Sequence, residues 1–153
     1  MPYALLIIVT GVGAHWILCL LVGSPWWVPD LTLLAVVFVI AASPSRWWLA
    51  AGAAGLATVC WAVHFPAVVL LWYGALGVGL KFLSDRWDLA DLRVQLLVVG
   101  VAETLWIILQ VWLQGAGVVR LLGVMVVHVG LTLLMVPAMR RLVLAPEPVG
   151  SSV

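Results

Sequence analysis

Glu103 is the residue in this sequence whose surroundings leave it least ordinary. It is a carboxylate near the midpoint of an apolar run, Val94 to Leu113, from which its side chain cannot easily reach water. On insertion scales a mid-membrane acid costs about 3 kcal/mol, so Glu103 should face the protein interior or a partner. Arg93 lies about 15 Å away along the same helix and Lys81 near a helix end, so neither need pair with it. The candidates for a partner are His15, Thr58, His128, a backbone carbonyl freed near a glycine, or a polar group on another protein. His15 sits in the middle of another apolar run, where it can take a proton or ligand or bond a neighbouring helix. Cys19 and Cys60 have no second Cys or His at metal-ligand spacing. Paired carboxylates, metal-spaced ligands and a nucleophile beside a base are all missing from the pattern, and no Gly-rich phosphate loop follows a strand. No catalytic, cofactor or metal site is therefore expected.

These polar groups are set in a chain of 153 residues that is 66% hydrophobic and 8% charged, with a mean hydropathy of +1.27. No soluble domain could cover that composition with a polar surface, so the expectation is an all-α, polytopic integral membrane protein in a lipid bilayer. A net charge of +1 supplies no basic field for nucleic acid. The N-terminus lacks a positive leader segment and a small-residue cleavage site, so the first apolar run is expected to stay.

Six helices are expected, at about 3–22, 28–44, 47–63, 67–82, 94–113 and 118–139, forming one compact transmembrane bundle over 1–144. The segment 145–153, with Pro146 and Pro148, reads as a disordered tail. The second helix is the best punctuated. Trp26, Trp27, Pro29 and Asp30 precede it, with Pro29 suited to a helix start and Asp30 to its cap, and Pro44 and Arg46 follow it. Its uncharged core, Leu31 to Ala42, rises only about 18 Å against a hydrocarbon core of roughly 30 Å. A helix that short is best accommodated by thinning the local membrane or by packing against another helix. A partner protein is expected to contact this span, and Pro29, Asp30, Leu34, Pro44, Arg46 and Glu103 are the candidate interface residues. The third helix, rich in Ala and Gly from Ala50 to Gly55, should lie inside the bundle. Gly74, Gly77 and Gly79 either accept a neighbouring backbone or permit a bend. His64-Phe65-Pro66 reads as a tight turn. Ser84 to Arg93 reads as a solvated loop or short interfacial helix, with Trp87 and Leu89 able to dip into the interface. With six spans, Arg46, Lys81, Arg86, Arg93, Arg140 and Arg141 share one side and Arg120 stands alone on the other, which places both termini in the cytoplasm.

Trp27-Val28-Pro29-Asp30-Leu31-Thr32-Leu33-Leu34, then Ala42-Ser43-Pro44-Ser45-Arg46 and the small-residue third helix, resemble the rod shape-determining MreD family of bacterial inner-membrane proteins. Glu103 falls where family members often carry an acid, and Arg140-Arg141 is similar to their basic end. The sequence departs from the family late in the third helix, where Thr58-Val59-Cys60-Trp61 stands in place of a frequent aspartate. The resemblance implies a non-enzymatic scaffold of the cell-elongation complex. Its implied partners are MreC, the RodA glycosyltransferase and its class B penicillin-binding protein, in lateral peptidoglycan synthesis. The competing class is a small-molecule-binding or transport subunit similar to the substrate-capturing component of energy-coupling-factor transporters. A carrier should enclose a polar-lined cavity, and a scaffold should have a filled core with apolar grooves open to partner helices.

Overall fold

The computed structural model describes residues 2–60, 65–115 and 118–143, with side-chain surroundings for all of these except Pro2, Trp26 and 118–121. The expected tail at 145–153 and His64 lie outside the described residues. The described chain is all-helical: α1 Pro2–Val22, α2 Leu31–Ala42, α3 Trp47–Val59, α4 Pro66–Ser84, α5 Leu92–Gln114 and α6 Val118–Val143. α1, α4, α5 and α6 are long and apolar enough to cross a membrane.

Local chemistry explains the boundaries. The α2 helix is tighter than the expected 28–44, because Asp30 caps it with Oδ1 accepting from Leu33 N–H at 2.8 Å and Pro44 cannot extend it beyond Ser43. One-turn 3-10 helices, Pro25–Trp27 and Pro44–Arg46, flank it. Pro66 opens α4, and the residue before a proline is steered away from the right-handed helical region. Phe65 leaves that region for a left-handed conformation at φ 55°, which is uncommon for a residue of its bulk. Asp91 caps α5 through Arg93 N–H, and Gly115 closes it at φ +64°. α6 runs through Pro137, beyond the expected stop near 139, and keeps that proline on its exposed side.

The element enclosed by the others is α2. Every residue from Leu31 to Ile40 is buried, and α2 packs on α1, α3, α4, α5 and α6. Those five encircle it: α1 lies on α3, α3 on α4 and α5 on α6, while Trp72 of α4 stacks on Trp106 of α5 with centroids 5.3 Å apart. The turn Pro25–Trp27 bridges α1 and α6. Two expectations are corrected here. α2 has no outward face with which to meet a second protein, since its shortness is accommodated inside its own bundle. α3 buries only Ala50, Ala51, Ala54 and Gly55, while Trp48 and Leu56 are exposed.

Because lipid tails are as apolar as leucine, exchanging lipid for helix contact gives little hydrophobic gain, and α2 must be held by close packing and polar ties. Two ties act at its head. Asp30 N–H donates to Thr132 Oγ1 of α6 at 3.0 Å, and His15 Nδ1 of α1 donates to the Pro29 carbonyl at 3.0 Å. Close packing is clearest where α3 crosses α4. A Cβ added at Gly77 would lie 2.6 Å from Ala51 Cβ and 3.2 Å from the Trp47 ring, whereas Gly74 and Gly79 face open space. Gly77 is thus the glycine that admits a neighbouring helix.

The loop 85–91 is pinned more firmly than a solvated loop requires. Asp88 accepts from Ala90 N–H, Lys81 pairs with Asp85, and Arg86 lies over the Phe82 ring at 4.5 Å. Leu89 is corrected from interface to core: it is buried, and its carbonyl accepts from the Gln95 amide at 2.8 Å. From the α3–α4 geometry, Gly77→Ala should destabilise the protein by about 1–3 kcal/mol through overpacking, and Gly74→Ala should cost no stability. Thermal unfolding of both variants in detergent checks this.

Candidate functional site

The two acids of the core stand at one level of the bundle. Asp30, at the head of α2, and Glu103, in α5, are 7% and 0% exposed. Glu103 has found one of its expected partners: His128 Nε2 of α6 lies 2.6 Å from Glu103 Oε1. Two lone pairs cannot face each other at that distance, so one proton lies between the groups, carried by the carboxyl or the imidazole. The second oxygen, Oε2, accepts from no donor among the described residues.

His15 is absorbed into the scaffold. Its Nδ1 proton goes to the Pro29 carbonyl, which leaves Nε2 as an acceptor 3.6 Å from Cys19 Sγ. Thr58 lies with Thr32 and Tyr73 on one cavity wall. The structure therefore gathers Pro29, Asp30 and Glu103, with His15, Thr58 and His128, into one half of the bundle. It does not bring the other candidates there. Arg46 is exposed and Pro44 half-buried at the opposite end of α2. Leu34 is corrected as an interface residue: it is 0% exposed at the centre of the core and has no surface to offer a partner.

Around this polar group lies a cavity of about 730 Å³. It exists because α2 is short. The long neighbours α1, α4 and α5 continue past Asp30, and no central helix fills the space between them, so it is lined by their ends and rises toward Gly23, Pro25 and Gln114. The half of the bundle beyond Thr32 is filled by α2, and this half is open. Trp16, Tyr73 and Trp106 supply aromatic walls, and Asp30 and the Gln110 amide supply polar ones. Among the described residues no lysine or arginine lines it, and no three of His, Cys, Asp and Glu converge as metal ligands.

Thr132, Tyr73 and Gln110 escaped the sequence reading, as did Gln95, which is fully buried. The signal was present, because each is a hydrogen-bonding side chain inside an apolar run, where polar groups cross-link helices or line cavities.

Comparisons with protein-family models, curated proteins and solved structures found no match to this chain. What the fold and composition define is a helical multi-pass membrane protein.

The Glu103–His128 contact leads to a direct expectation. Glu103→Gln should keep the fold, since the amide can donate to or accept from Nε2, whereas Glu103→Leu should lose about 1–3 kcal/mol by stranding the imidazole. Folded yield and thermal midpoint of the two variants check this. If Glu103→Leu stays as stable as the parent but loses a copurifying protein or ligand, the acid has a binding role rather than a structural one.

Proposed function

We propose that this chain is a non-enzymatic scaffold of the MreD type in the bacterial inner membrane. In this reading it binds MreC and works beside the RodA glycosyltransferase and its class B penicillin-binding protein in lateral cell-wall synthesis. The observation that carries the proposal is the position of the residues that resemble the family. Trp27 to Leu34 and Ala42 to Arg46 are the entrance, body and exit of α2, on which all five other helices pack. A resemblance centred on the element that organises the bundle bears on the whole fold rather than on one loop. The protein surface left for partners is the outer ring of helices and the Pro44–Arg46 end, where Arg46 and Trp48 are exposed.

The chain crosses the membrane six times in this proposal, with α2 and α3 completing their crossings inside the bundle. Both termini are cytoplasmic, with Arg46, Lys81, Arg86, Arg93, Arg140 and Arg141 on that side. The cavity then opens to the outside. A second reading is favoured by that cavity: a subunit that captures a small molecule, as the substrate-binding components of energy-coupling-factor transporters do. A filled core argues for the scaffold and a polar-lined cavity for the carrier, and this bundle has one of each in its two halves.

Two measurements test the proposal. Cysteines introduced at Pro2 and Asp88 should resist impermeant maleimide in intact cells, and labelling of either from outside contradicts the topology. The tagged chain, drawn from native membranes, should retain MreC, and recovery without MreC or either cell-wall synthase contradicts the scaffold.

A further inference from the structure

We propose that the cavity is a binding site for a small organic cation, an amine or quaternary ammonium compound reaching it from the end that carries Pro25 and Gln114. The inference rests on the cavity being a ligand site and requires neither transport nor the scaffold.

The charge on the cavity wall is negative. Asp30 lines the cavity and is more than nine-tenths removed from solvent, and among the described residues no lysine or arginine lines the space. A carboxylate in a low-dielectric wall repels an anionic guest and favours a cation. Glu103 is not one of the lining residues, and its contact with His128, which is, holds one shared proton and no net charge.

Trp16, Tyr73 and Trp106 line the same cavity from three different helices. Aromatic faces attract cations through the ring quadrupole, and several of them beside a carboxylate are the usual means of holding an ammonium group. The Trp106 ring is held in place by its stack on Trp72.

About 730 Å³ falls in the range of small-molecule sites, which run roughly 300–1,000 Å³. The Thr32 and Gln110 side chains on the wall can hydrogen-bond the uncharged parts of a guest. Asp30 Oδ1 is committed to the cap of α2. The charge it brings to the cavity is nevertheless separable from the cap, because asparagine caps a helix as well as aspartate does.

The test is calorimetric titration of the full-length protein in detergent with choline and putrescine. The controls are the uncharged carbon isostere of choline, dimethylbutanol, and an anion of similar size, butyrate. At least one cation should bind saturably, with neither control binding comparably. Asp30→Asn should keep the thermal midpoint of the ligand-free protein while weakening cation binding about tenfold or more. Tyr73→Phe should keep most of the affinity, since the ring face is retained. Saturable binding of dimethylbutanol or butyrate in preference to both cations overturns the cation assignment while leaving the cavity a ligand site. Absence of binding by all four compounds up to about 10 mM overturns both. Cation binding unchanged in Asp30→Asn also overturns the assignment.

Discussion

A twelve-residue apolar helix rises about 18 Å, and a bilayer core is about 30 Å thick. That deficit is the constraint from which the rest of the architecture follows. An element of that length cannot present a matched apolar cylinder to lipid, and this chain encloses it within five neighbours instead. Once enclosed, α2 gains little from the hydrophobic effect and is fixed by contacts that have direction: the Asp30 cap, the Asp30–Thr132 bond to α6 and the His15–Pro29 bond to α1. All three act at one end. Asp30, Thr32, Glu103, His128 and Thr132 are therefore gathered toward the head of α2, while the buried Gln95 stands apart, tied to the Leu89 carbonyl.

The same shortness divides the bundle into two halves of different character. Beyond Thr32 the interior is filled by the side chains of α2. On the other side of Asp30 the longer helices continue without a central partner, and the space between them becomes the cavity. Glu103 and His128 stand at this level, so their contact closes a polar region rather than interrupting an apolar one.

Much of this was legible in the sequence, and the reasons for the remainder are physical. Four helices declare themselves by length and hydropathy, and Asp30, Pro44, Pro66 and Gly115 mark boundaries through their own backbone preferences. The enclosure of α2 was not legible. A helix that is apolar all round looks the same whether lipid or protein surrounds it, and its shortness fits a thinned membrane, a helix of another protein or its own bundle equally well. α3 misled in the opposite way, since small residues on every face permit close approach on any side but are used on one. For Glu103 the sequence reduced the partners to a short set that included His128. The choice among them depended on the rotation of α5 against α6, which hydropathy does not encode. Thr132 and Tyr73 were missed because hydroxyls in apolar runs carry no formal charge to draw attention to them.

The central claim is that α2 is a core helix of this protein and not a lipid-facing or partner-facing span. The most direct measurement is thiol reactivity of Val37→Cys in a background lacking Cys19 and Cys60, using a lipophilic maleimide on native membranes. Val37 is fully buried, while Leu105 on α5 is 52% exposed. The account predicts that a cysteine at 37 stays unmodified until detergent unfolds the chain, while Leu105→Cys reacts readily. Reaction at position 37 in the folded protein at the rate seen for 105 would contradict it.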